Sequence, residues 1–374
     1  MQTLQNKIQV CCRIRPSLPS SLPSSSSSLA VEALSELEVG FLDQRQSQGG
    51  FEKGWKAFNF DRVWGPESTQ EDVFLDCEAL ALSVMEGENA CILAFGQTGS
   101  GKTYTMGGGW EEEEGGREEA EERRGISYRL MEKMMELARG EEEEGVEGGR
   151  EGEERLSSMV GYAVSMSMIE VYNDDVRDLL PKDPSSLPSS SSSSSSSSFT
   201  TRGPVASSLP SSSSSSTPSS LPSSSSTSCK PVILEIRRDA DNNIRLPGMV
   251  EREIHSLPNA RLLISQGNKA RATAATNVHE HSSRSHSIII LNVTSRATGK
   301  KGKLFLVDLA GSERGKKSAV TGAGLKEAQH INKSLSALGD VMEALDKKNP
   351  HVPYRNSSLT HLLSECLGGR EGEP

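Results

Sequence analysis

Apolar positions along this chain recur with two periods. KIQVCCRIR (7–15) alternates apolar and polar residues, the two-residue repeat of a strand. ACILAFG (90–96) is a short apolar run closed by glycine, the pattern of a buried strand. YAVSMSMIEVY (162–172), SIIILNVTS (287–295) and KLFLVDLAG (303–311) predict three more. Helical spacing governs QEDVFLDCEALALSVM (70–85) and ISYRLMEKMMELA (126–138). It returns at Ile331, Leu335, Leu338, Met342 and Leu345, in steps of four, three, four and three. These stripes are core positions. Strands alternating with helices predict an α/β fold with helices on both faces of one sheet.

Low-complexity segments interrupt the pattern. Serine fills SLPSSLPSSSSS (17–28) and 27 of the 44 residues in 185–228. Such segments bury too little apolar surface to offset the entropy of ordering, so disordered loop inserts are expected. Two acidic runs behave alike: 111–124 carries a net −5 and 141–154 a net −7. They change how the overall charge of −10 is read, because the rest of the chain is slightly positive and free to present a basic face. The inserts are placed at about 17–30, 109–124, 140–156 and 183–229.

The cysteines, Cys11, Cys12, Cys77, Cys91, Cys229 and Cys366, form no C-x-x-C pair, which fits a reducing interior. The start, MQTLQNKIQVCCRIRP, lacks a signal-peptide core, and no stretch approaches 18 apolar residues. A soluble intracellular protein without membrane insertion is expected.

GQTGSGKT, Gly96, Gln97, Thr98, Gly99, Ser100, Gly101, Lys102 and Thr103, satisfies G-x-x-x-x-G-K-[ST] directly after a predicted strand. Glycines let a loop curl so that its N–H groups face phosphate oxygens. Lys102 would reach the outer phosphates, and the Thr103 hydroxyl would ligate Mg²⁺. A second carboxylate is expected at a strand end, where Asp308 closes LFLVD. Gly311 completes D-x-x-G, a glycine amide suited to sensing a γ-phosphate. The N-K-x-D of guanine-specific enzymes is missing: Asn332-Lys333-Ser334 is followed by Leu335. ATP is therefore expected over GTP.

HEHSSRSH (279–286) suggests three chemistries. A metal site lacks further ligands at a familiar spacing. A serine nucleophile lacks a G-x-S-x-G elbow. A hydroxyl-rich loop beside bound nucleotide remains, able to hold Mg²⁺ or its waters, with Glu313 of DLAGSER the candidate partner for Arg284.

SSRSH together with GQTGSGKTYTM, DLAGSE and HINKSLSALGDV resembles the kinesin motor domain, over Lys7 to Gly369. The resemblance implies a kinesin-type P-loop NTPase with a mixed, mostly parallel central sheet. It implies an adenine site at Arg13, Arg15 and Pro16, with Tyr104 stacking. Ser283 would hold Mg²⁺ with Thr103, and with Asp308 acting through water; Ser282 would position the attacking water. Arg284 would pair with Glu313, and Gly311 would bond the γ-phosphate. The stripe from Ile331 to Leu345 would be the relay helix to the microtubule, whose acidic tubulin surface would meet Arg252, Lys316, Lys317, Lys326, Lys333 and Arg355. The resemblance thus implies ATP and Mg²⁺, microtubules as partner, no nucleic acid, and a location on the cytoplasmic cytoskeleton.

The family's pattern has asparagine where His279 stands and basic residues at Ser358 and His361, which implies weaker filament contact. Family members also continue after CLGG with a strand lying beside the phosphate-loop strand, a helix and a neck linker. On that reading, 1–374 is a C-terminally truncated motor domain. FNFDRVWGPESTQEDVF and INKSLSALGDV are most similar to the C-terminal-motor, minus-end-directed branch. Two functions follow: a microtubule-stimulated ATPase, or a nucleotide- and microtubule-binding module that does not cycle.

Overall fold

The computed structural model describes residues 8–17, 30–42, 55–109, 121–139, 161–182, 233–240, 243–273, 282–313 and 323–368. The chain divides into two units, 1–180 with 231–374, and 181–230; all elements below belong to the first. The strands are β1 (Cys11–Arg13), β2 (Val31–Ala33), β3 (Glu38–Leu42), β4 (Trp55–Asn59), β5 (Arg62–Trp64), β6 (Asn89–Ala94), β7 (Tyr162–Tyr172) and β8 (Asp175–Asp178). They continue with β9 (Ile233–Leu234), β10 (Arg237–Arg238), β11 (Ile244–Arg245), β12 (Arg252–Glu253), β13 (His286–Ser295) and β14 (Lys301–Asp308). The helices are α1 (Gln70–Leu75), α2 (Ala79–Met85), α3 (Lys102–Gly107), α4 (Ile126–Arg139), α5 (Leu257–Thr273), α6 (Ala323–Asp346) and α7 (Ser358–Leu363).

The central sheet runs β6-β14-β13-β7-β8-β9, with β12 also on β7. Alternation decides which residues face which layer. Met166, Met168, Leu291, Val293, Leu304 and Leu306 pack with α2, α4 and α5. Ile169, Val171, Ile288, Ile290, Phe305 and Val307 pack with α6 and α7. Leu130, Met131 and Met134 on α4 are almost wholly buried; each contributes about 1.5–3 kcal/mol.

The sheet is mixed, as expected, but its expected parallel majority is corrected. Among the described residues only β6/β14 is parallel within it. The pairs β13/β14, β13/β7, β7/β8, β8/β9 and β12/β7 are antiparallel. The reason is connection length. Asn173 and Asp174, at φ 52° and 70°, form a two-residue turn from β7 to β8. A short hairpin closed by Ser295 and Lys300 joins β13 to β14. Neither leaves room for a crossover helix.

The expected helix 70–85 is two helices. Asp76 breaks it, accepting from Trp64 Nε1 at 2.9 Å and Arg62 Nε at 3.1 Å. Of the expected insert 109–124, residues 110–120 lie outside the described residues; at its two ends Gly109 N donates to Arg123 O at 3.3 Å, and Arg124 pairs with Glu132 at 2.9 Å. The inserts 140–156 and 183–229 lie outside the described residues.

Candidate nucleotide site and switch contacts

The phosphate loop leaves the end of β6 and enters α3 at Lys102. A Cβ on Gly96 would sit 2.6 Å from Ser100 Oγ, and its φ of 154° disfavours any other residue. Lys102 Nζ donates to the carbonyls of Gly96 and Gln97 at 3.0 Å each, folded onto its own loop. Burial lowers its pKa, against the pull of Asp308 and Glu313.

Thr103 and Asp308, 205 residues apart, meet because β14 pairs in parallel with β6. Thr103 Oγ1 donates to Asp308 Oδ2 at 2.7 Å. Burial raises the Asp308 pKa, while Thr103, Arg271 and Lys102 hold it down. Asp308 Oδ1 is buried with no hydrogen-bond partner among the described residues. A hydroxyl and a carboxylate oxygen with spare acceptor capacity fit a hard divalent cation such as Mg²⁺.

The segment after β14 closes over this loop. Ser312 N donates to Gly96 O at 3.1 Å. Glu313 accepts from Thr98 N at 2.9 Å and Thr98 Oγ1 at 2.5 Å. Burial would raise the Glu313 pKa, but those two bonds, with its own backbone amide and the Lys102 charge, hold the carboxyl below its ordinary value. Gly311 N donates to Ser283 O at 2.8 Å, joining the loop before β13 to the loop after β14. The phosphate loop, a strand-end aspartate and two flanking loops bonded to each other are thus brought together at one place in the fold.

A family model for the kinesin motor domain matches residues 13–372. The chain belongs to the kinesin motor domain family. Kinesin-like protein KIN-14F of Oryza sativa subsp. japonica is 38% identical over 374 residues, covering 99% of this chain and 30% of the relative. KIN-14R of Arabidopsis thaliana is 35% identical over 374 residues, covering 99% and 27%. The chain thus spans less than a third of these curated relatives. Their KIN-14 names agree with the branch resembled by the two stretches quoted above. A solved structure described as that of a fast kinesin superposes with a TM-score of 0.67 at 29% identity, covering 96% of this chain and 82% of that one.

In this kinesin motor domain the expected switch pair differs. Arg284 does not meet Glu313. Arg284 Nη1 donates to Glu327 Oε2 of α6 at 2.7 Å, while Glu313 is held by Thr98. The physical reason is competition: Thr98 presents two donors to Glu313, and Glu327 presents a carboxylate to Arg284.

Arg13 is half-buried and braced. It donates to Gln70 Oε1 at 2.8 Å and Thr105 Oγ1 at 3.0 Å, and lies 5.5 Å from the Tyr104 ring centroid. Arg15 bonds the Gly99 carbonyl, Pro16 is exposed, and Tyr104 is 44% exposed.

On the expected filament side, Lys333 pairs with Asp174 at 3.3 Å. Ser358 donates its amide and hydroxyl to that same turn, at 2.7 and 2.6 Å. Arg355 is exposed beside α7, and Arg252 is half-buried on β12. Lys316, Lys317 and His279 lie outside the described residues, as does the side chain of Lys326.

Several supporting residues belong to no motif or periodic pattern in the sequence. Gln70, 2% exposed, donates to Tyr104 O at 2.7 Å. Arg271 of α5 bonds Ser282 O at 3.1 Å, Ser285 O at 2.8 Å and Ser285 Oγ at 3.0 Å, and pairs with fully buried Glu170 at 3.4 Å. One signal existed: Glu170 is a lone charge in the otherwise uncharged strand YAVSMSMIEVY.

Proposed function

We propose that this chain hydrolyses ATP in response to microtubules, as a motor domain. The carrying observation is the three-way contact in which Gly311 bonds Ser283 while Ser312 and Glu313 bond the phosphate loop. The same donors that would read a γ-phosphate are engaged by protein oxygens. On this reading the geometry is the open arrangement, and ATP competes for those donors.

Lys102 would exchange two loop carbonyls for phosphate oxygens. Gly311 N–H would exchange Ser283 O for the γ-phosphate, freeing the loop 282–285 to move. Ser282 would position the attacking water, and Arg284 would leave Glu327 for Glu313, closing the pocket. Mg²⁺, held by Thr103, Ser283 and water on Asp308, would neutralise charge developing on the phosphates. Positioning and charge suffice, because the protein forms no covalent intermediate. Loss of phosphate would return Arg284 to α6 and so signal the microtubule face, where Arg252, Lys316, Lys317, Lys326, Lys333 and Arg355 are the candidate contacts.

The test is phosphate release by the 374-residue chain, with and without microtubules, beside Lys102→Ala. Stimulation in the parent and its loss in the variant are expected; equal rates in both would sink the proposal. The second reading is a nucleotide- and microtubule-binding module that does not cycle. That reading requires nucleotide binding without turnover in the same assay.

A further inference from the structure

We infer that His286 is the positioning residue that links the nucleotide pocket to helix α6. The inference rests on the nucleotide-binding reading above. His286 opens β13, is 3% exposed, and uses both ring nitrogens. Ala310 N lies 3.0 Å from Nδ1, and Ser334 Oγ lies 2.8 Å from Nε2.

The chemistry fixes every proton. A backbone amide only donates, so Nδ1 is the acceptor and Nε2 carries the hydrogen. Ser334 Oγ therefore accepts from the ring and donates its own proton to Ile331 O at 2.8 Å. The result is a directed chain: Ala310 N–H to imidazole, imidazole to Ser334, Ser334 to the α6 backbone. Burial, with Arg271 and Lys102 nearby, keeps the ring neutral, which this polarity requires.

Position gives the chain its role. Ala310 immediately precedes Gly311, whose amide bonds Ser283. Ser334 lies on α6, seven residues beyond Glu327, the partner of Arg284. A rigid planar ring leaves little slack: a shift of the Ala310 backbone either breaks the 3.0 Å bond or carries the ring, and α6, with it. Asparagine can replace Nδ1 towards Ala310 but is too short for Ser334. Removing the Ser334 hydroxyl severs the same chain from the far side.

The experiment is hydrogen–deuterium exchange over 327–337 of the whole 374-residue chain, without nucleotide and with a non-hydrolysable ATP analogue. It compares the parent with Ser334→Ala, with His286→Asn and with both together. Analogue affinity is measured in parallel by fluorescence. The parent is expected to change exchange in 327–337 on binding. Ser334→Ala should bind the analogue within about twofold of the parent yet lose about five- to tenfold of that response, the factor one buried hydrogen bond supplies. The double variant should lose no more, since both changes cut one chain. If His286→Asn fails to fold, Ser334→Ala alone decides. A full response in Ser334→Ala overturns the inference and shows His286 to be only a satisfied core residue. Analogue binding with no response in the parent overturns it too. A parent that binds no analogue removes the nucleotide reading itself, and this inference with it, which the affinity measurement makes plain.

Discussion

Arg271→Ala is expected to be the costliest single change near the pocket. Arg271 is 9% exposed and supports the loop 282–285 from below through Ser282 O, Ser285 O and Ser285 Oγ. It also faces Glu170, which is 0% exposed. Removing one member of a buried ion pair costs about 3–5 kcal/mol, because the other charge stays buried. A buried carbonyl left without its donor adds about 1 kcal/mol. The sum, about 4–6 kcal/mol, is a large fraction of the 5–15 kcal/mol typical of a domain. Urea unfolding reads it directly: at about 1–3 kcal/mol per molar, the midpoint should fall by more than about 1 M. Glu170→Leu with Arg271→Met removes both charges, so it should recover at least half the loss. The recovered protein should still turn over ATP poorly, because Ser282 and Ser285 remain untethered. A midpoint shift under about 0.3 M, or a double variant as unstable as Arg271→Ala, would show that the pair is not buried as described.

Three further outcomes are expected. Gly311→Ala would put a Cβ 2.3 Å from both Thr98 Oγ1 and Glu313 Oε2. Turnover should drop at least about tenfold with little change in the exposed pair's contribution to stability; turnover within about twofold of the parent would refute the close fit. A double-mutant cycle on Arg284 and Glu327 should give about 0.5–1 kcal/mol of coupling without nucleotide, and Arg284 with Glu313 near zero. An ATP analogue should reverse the two, and coupling to Glu313 without nucleotide would contradict the contacts described. The His286 pKa is pushed down from 6.5 to about 4 by burial, then by Arg271 and Lys102, with Asp174 opposing. Below about pH 6.5 the unfolded chain takes up a proton that the buried ring refuses. Stability should therefore fall between about pH 6.5 and 4, by as much as about 3 kcal/mol, and be flat with respect to His286 above that window. Asp308, raised by burial, pulls the other way. Urea midpoints at pH 5 and 7 should show the slope, and His286→Asn should flatten it; an unchanged slope would show an exposed ring.

The chemistry of the pocket was legible in the sequence because it is local. A phosphate loop needs glycines and a lysine at fixed spacing, and Gly96 to Thr103 meet that need within eight residues. Strands β7, β13 and α4 were legible for the same reason: period and burial are written in neighbouring residues. Helix α5 was not. Its inward positions include Gly267, where a Cβ would sit 2.3 Å from Met168 Sδ, and Arg271, so its inner face is not an apolar stripe. Strands β8 to β12 run two to four residues each, too short for a period to register. Sheet direction depended on turns such as Asn173-Asp174, whose backbone reverses where the side-chain alternation gives no sign. Partner choice was furthest from reach. The residues SSRSH and DLAGSE supplied an arginine and a glutamate, yet Arg284 went to Glu327 and Glu313 to Thr98. Charges pair by distance and by the number of donors each finds in the folded chain, and a sequence states neither. The sequence by itself determined which groups could bind a nucleotide; only the packing of β13, β14 and α6 decided which of them hold one another while they wait for it.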